Sequence, residues 1–153
     1  MSSERRVSAV VLGLVAAVLA AMPSSSHELR KGEVAIEHPW ARATLPAQEN
    51  GAVYMVIRNR GAGAERLLAA RTSEAQRAEL HGGTATAEGV AQTRPVEALA
   101  IPSGGEARLS PGGAHVTLGG LRGQLFEGTM FPMTLVFERA GEVEVEVVSD
   151  ASR

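Results

Sequence analysis

The sequence predicts an all-β domain, a sandwich or barrel of short strands, behind a removable leader. Three observations carry this. No segment beyond the leader sustains an apolar period of 3.6 residues, so no amphipathic helix is signalled. Glycine- and proline-rich turns, among them Asn59-Arg60-Gly61-Ala62-Gly63, Pro102-Ser103-Gly104-Gly105 and Ser110-Pro111-Gly112-Gly113, punctuate the chain at short intervals. The last apolar segment alternates strictly, with Glu142, Glu144 and Glu146 on one face and Val143, Val145 and Val147 on the other.

In chain order, the first 26 residues read as a signal peptide with a small polar lead-in. Arg5 and Arg6 give the positive start, Val7 to Ala21 the apolar run, and Met22-Pro23-Ser24-Ser25-Ser26 the small polar end. The run is shorter than the roughly 20 residues that span a bilayer. Cleavage fits after Ala21 or after Ser26. An uncleaved anchor is the other reading, and it would be the only membrane contact. The expected location is therefore periplasmic or secreted.

Residues 27–33 are polar and read as a loose lead-in. The β domain is expected over residues 34–149. Its first strand runs from Val34 to Arg42 and is interrupted at Pro39. Leu45 to Asn50 reads as a loop, and Ala52 to Arg58 and Ala64 to Arg71 as strands. Ser73 to Arg77 fits one helical turn or a tight connection. Leu99 to Ile101, Glu106 to Leu109 and His115 to Leu118 are short strands. Gly119 to Gly123 reads as loop. Met133 to Glu138 and Val143 to Val148 form the closing pair. No repeat or second domain is visible.

Composition narrows the function. The 153-residue chain has no cysteine, which removes disulfides and thiolate metal sites although the chain looks exported. From His27 onward, 13 basic residues face 16 acidic ones. With one tryptophan, one tyrosine and no basic patch, nucleic acid is not an expected partner. There is no nucleophile elbow, no HExxH and no paired-carboxylate cluster at informative spacing, so the chain does not read as an enzyme.

The informative stretch runs from Glu79 to Leu118, with His81 near one end and His115 near the other. Two imidazoles framing one segment suggest a metal site. After His81 come Gly82, ten residues and Thr93; 21 residues then lead to His115, and Thr117 lies two positions on. This spacing resembles the periplasmic copper chaperones of the PCu(A)C family, whose motif has two histidines at these positions and methionines nearby. Flanking segments are also similar: Pro39-Trp40-Ala41-Arg42-Ala43, Gly51-Ala52-Val53-Tyr54-Met55, Arg94-Pro95-Val96-Glu97, Ile101-Pro102 and Glu138-Arg139-Ala140-Gly141-Glu142. The resemblance extends over about residues 35–148.

The resemblance implies a cupredoxin-like Greek-key β-sandwich with the metal at one end. It also implies carriage of Cu(I) toward the copper centre of cytochrome c oxidase, with an oxidase copper-centre subunit or another copper carrier as partner. His81 and His115 carry over as the candidate metal ligands. The motif methionines do not: Gly82, Thr93 and Thr117 stand in their places. Thioethers are soft and favour Cu(I), while imidazole also suits Cu(II). Copper as Cu(I) is therefore the expected cargo, with Cu(II) the second candidate state, in a methionine-poor site. Neutral imidazole is the ligand form, so binding should weaken as pH falls through about 6.5.

Other donors are conceivable. Met130 or Met133 would restore a thioether if either reached the histidines; both, like Met55, also suit a core. His27 would chelate through its amine if cleavage fell after Ser26. His38, before Pro39, reads as a surface histidine. Glu79 shares a face with His81 and would either orient it or remain a solvated charge. The alternative to a copper carrier is a related β-sandwich interaction domain that has lost metal binding.

Overall fold

The computed structural model describes residues 28–153. The leader, both cleavage points and His27 lie outside the described residues. Within them there is no helix, and eleven strands follow one another: β1 Glu28–Lys31, β2 Val34–Arg42, β3 Asn50–Asn59, β4 Glu65–Arg71, β5 Ala75–Ala85, β6 Ala91–Pro95, β7 Leu99–Ile101, β8 Glu106–Leu109, β9 His115–Leu121, β10 Met130–Phe137 and β11 Gly141–Asp150. They form one hydrogen-bonded sheet in the order β6-β5-β9-β3-β2-β11-β10-β4-β7, with β1 attached to β2 and β8 to β3. Every pairing is antiparallel except β11 with β2. The sheet folds over itself: β4 packs on β5, and β7 lies against β8 and β3. The all-β expectation holds.

The core lies between the folded halves. Ile36, Val53, Ile57, Leu67, Ile101, Val116, Leu118, Phe131, Met133 and Leu135 are sealed in it. In β11 the alternation reads through directly: Val143, Val145 and Val147 are buried while Glu142, Glu144 and Glu146 face water. That face assignment follows from the two-residue period of a strand, which leaves a half-buried strand no other register.

Polar groups that enter the core are paired. The Glu65 carboxylate, 4% exposed, accepts backbone N–H bonds from Arg66 at 2.9 Å and from Arg139 and Ala140 at 3.0 Å. It ties the start of β4 to the β10–β11 turn. Asn59 is also buried; its amide donates to the carbonyls of Gly63 and Ile101, and its oxygen accepts from Gly61 N–H.

Three local expectations are corrected. The lead-in is not loose, because Glu28–Lys31 pairs with Val34–Glu37 as β1. Its mostly exposed, charged residues suit a sheet edge and carry no alternation to read. Of the two readings of Ser73–Arg77 the tight connection is found, but only over residues 73–74, since the chain enters β5 at Ala75, which pairs with Leu121. Gly119–Leu121 is strand rather than loop, since Gly119 pairs with both Asn50 and Arg77. The interruption at Pro39 is present as a register shift between Glu37 and Trp40, with His38 at φ 48°.

Candidate metal centre

The site is built from cross-strand register. β5 and β9 pair so that His81 stands directly opposite His115. Their ring centroids are 5.1 Å apart. One position earlier on β5, Leu80 faces Val116, and both are buried in the core. The pleat therefore sends the apolar pair inward and the imidazole pair to the opposite face.

Glycine permits the close approach of the strands here. A Cβ on Gly83 would lie 3.0 Å from the backbone of Gly113 and Ala114. The turn before β9 is closed by Gly113 N–H to Ser110 carbonyl and Ser110 N–H to Ala114 carbonyl, each at 2.9 Å, with Gly112 at φ 81°. This turn also orients His115. Its Nδ1 lies 2.9 Å from the Gly113 carbonyl, a geometry that makes Nδ1–H the donor. The Nε2 lone pair of His115 is then free to bind a ligand.

His81 carries the complementary feature. Its side chain is 18% exposed, yet its Nε2 is buried and has no hydrogen-bond partner. The nearest carboxylate oxygen, Oε2 of Glu79, is 3.9 Å away, too far for a hydrogen bond. Leaving such an atom unsatisfied costs about 1–3 kcal/mol, which a bound ion would remove. Glu79 is half exposed and lies nearer Arg77, so it behaves as the solvated charge rather than as the group that orients His81.

The remaining motif positions flank this pair. Thr93 on β6 faces Gly83, and Thr117 on β9 faces Glu79, each two residues from a partner of the histidine pair and so on the same face. Gly82 points the other way; a Cβ there would meet Val96 at 3.0 Å. Among the described residues, no group of three or more His, Cys, Asp or Glu side chains is gathered to hold a metal. The described methionines lie elsewhere. Met55 and Met133 are buried in the core, and Met130 is exposed at the start of β10, whose sheet neighbours are β4 and β11. His38 is exposed in the β2 irregularity.

Two rings that the sequence does not signal extend from the pair without joining the ligand set. Tyr54 on β3 lies 6.1 Å, centroid to centroid, from His115, and Trp40 on β2 lies 4.6 Å from Tyr54. Only the β2–β3–β9 register brings them there, and no local pattern in the sequence signals it.

Fold and site together define an all-β domain of the PCuAC type. The copper-bound PCuAC domain from PmoF2 is similar with a TM-score of 0.71 and 30% identity, over 82% of this chain and 98% of its own. The apo PCuAC domain from PmoF1 is similar with a TM-score of 0.71 and 34% identity, over 82% and 99%. The Cu(I) form of DR1885 from Deinococcus radiodurans shares the fold, with a TM-score of 0.64 and 24% identity over 87% of each chain. Among curated proteins, Lxx21020 of Leifsonia xyli subsp. xyli, which carries a provisional lipoprotein designation, is 27% identical over 143 residues, 92% of this chain and 84% of its own. The chain belongs to the LpqE-like family, whose model, described in terms of a lipoprotein, matches residues 34–149.

Proposed function

We propose that this protein is an exported copper carrier that holds the ion between His81 and His115. The observation that carries the reading is the buried, unpartnered Nε2 of His81 opposite a His115 whose Nδ1 is already engaged. Two imidazole nitrogens are thereby left to converge on one ion. Cu(I) accepts low coordination numbers, so two imidazoles alone can hold it. An ion held by so few donors keeps room for an incoming ligand. A receiving protein can bind the ion before the carrier releases it, and the transfer is ligand exchange with no covalent chemistry.

Copper in the PmoF2 domain and Cu(I) in the DR1885 structure support the choice of metal. The site is methionine-poor, with threonine at 93 and 117. The receiver in this reading is a soft copper centre, with the dinuclear centre of cytochrome c oxidase the candidate that the family resemblance implies. Residues 1–26 serve as the export leader and 34–149 as the carrier domain; the lipoprotein description of the family supports export.

The test is anaerobic Cu(I) and aerobic Cu(II) titration of the leader-free protein beside His81→Ala and His115→Ala. One equivalent bound by the wild type and lost from each variant is expected. If neither oxidation state binds, the protein is instead an interaction domain that has kept the fold and lost the metal.

A further inference from the structure

The histidine pair is one end of a longer row. Four adjacent strands, β5, β9, β3 and β2, each contribute one ring: His81, His115, Tyr54 and Trp40. Successive centroids are 5.1, 6.1 and 4.6 Å apart. The neighbouring row across the same four strands is Leu80, Val116, Val53 and Ala41, all buried in the core. One row is aliphatic and sealed; the next is wholly aromatic and lies on the opposite face.

Composition makes the aromatic row informative. The chain contains one tryptophan and one tyrosine, and both stand in it. Cross-strand aromatic pairs add little to a sheet's stability, and among the described residues this sheet is otherwise built without them. The far end is open. Trp40 lines two surface hollows, of about 220 and 330 Å³, the second reaching Arg108 and Ser110.

Indole and phenol are the side chains that give up one electron most readily, and ring-to-ring contact supplies the electronic coupling that saturated side chains lack. A site of imidazoles without thioethers also suits both Cu(I) and Cu(II). The ion can therefore change oxidation state without losing its ligands. We infer that the Trp40–Tyr54–His115–His81 row is an electron route, through which an outer-sphere one-electron donor or acceptor at the Trp40 surface changes the oxidation state of the bound copper. This rests on the copper reading above. In the oxidising direction the acceptor takes one electron from Trp40, and Cu(I) refills the row and becomes Cu(II). Any proton that the Tyr54 phenol gives up on oxidation returns when the electron arrives. Net, one electron moves, and no bond forms or breaks. In the reducing direction a one-electron donor at Trp40 passes its electron to Cu(II) by tunnelling through the row, with no ring oxidised.

The absence of cysteine gives a clean test. Arg153→Cys places a single thiol beside Trp40, whose ring the Arg153 guanidinium overlies at 5.9 Å, and a ruthenium polypyridyl photosensitiser is attached there. The protein is loaded anaerobically with Cu(I), its copper content is measured directly, and the ruthenium is oxidised by flash–quench. Appearance of Cu(II) is followed by absorbance and electron paramagnetic resonance, and a transient indole radical is sought. Trp40→Leu and Tyr54→Phe are compared in the same labelled protein. Tyr54→Phe keeps the ring and its packing but is much harder to oxidise, so loss of folding does not confound it. Both variants should bind copper as the wild type does and oxidise it at least tenfold more slowly. Copper bound normally and oxidised at the wild-type rate in both would overturn the electron route alone and leave the row a packing feature. No copper in the wild type would overturn the carrier reading, and the route with it.

Discussion

His81 and His115 occupy directly opposed positions on β5 and β9, and their rings lie 5.1 Å apart at the centroids. The positions that hold threonine in place of the family's methionines, Thr93 and Thr117, lie on the same face on either side of the pair. A thioether introduced at either position is two residues along its strand from the site.

Thr93→Met with Thr117→Met should therefore raise Cu(I) affinity by on the order of tenfold or more, equivalent to about 1.4 kcal/mol, and leave Cu(II) affinity nearly unchanged, because thioethers favour the softer ion. Competition titration against a Cu(I) chelator and direct Cu(II) titration measure the two. Equal Cu(I) affinity in wild type and double variant would mean that thioethers at these two positions do not reach the ion, and would remove the threonine replacements as the cause of a methionine-poor site.

Gly83→Ala should weaken the site from outside it. The added methyl meets the Gly113 and Ala114 backbone at 3.0 Å, and that backbone can move only by displacing the turn that holds His115. Overpacking of this kind costs about 1–3 kcal/mol. Denaturant unfolding should record that loss, and copper titration a weaker site. Gly89→Ala, in open space but at φ 79°, is a control for backbone strain alone.

Glu65 should make the fold acid-sensitive. Burial pushes its carboxyl upward, but the N–H groups of Arg66, Arg139 and Ala140 and the charge of Arg139 outweigh burial and hold it below its ordinary value. A carboxyl that titrates lower in the folded state contributes stability above the unfolded value and loses it as pH falls through the folded one. Glu65→Gln should cost about 1–3 kcal/mol near neutrality. It should also flatten the acid limb of the stability curve; urea midpoints between neutral pH and pH 3 check both. An acid limb as steep as that of the wild type would remove Glu65 from this role.

Leu135→Ala tests the core between the folded halves. Leu135 is fully buried and pairs with Val143 and Ala70. Loss of its side chain should destabilise by about 2–5 kcal/mol without changing copper stoichiometry. Thermal unfolding and metal titration read the two effects separately.

The sequence by itself determined the strand class, the inward valines of β11 and the interval between the two histidines. Each is local: alternation and turn chemistry operate over a few residues, and spacing can be counted. It missed β1, whose exposed edge carries no pattern, and took Gly119–Leu121 for a loop because paired glycines look like a turn until a partner strand is known. The tertiary structure decided everything that depends on register between distant segments. Register set His81 opposite His115, left one nitrogen of His81 buried and unpartnered, and aligned Tyr54 and Trp40 with the pair. The physical reason is that cross-strand neighbours are chosen by burying whole faces at once: sealing Leu80, Val116, Val53 and Ala41 into the core fixes which residues stand together on the other side.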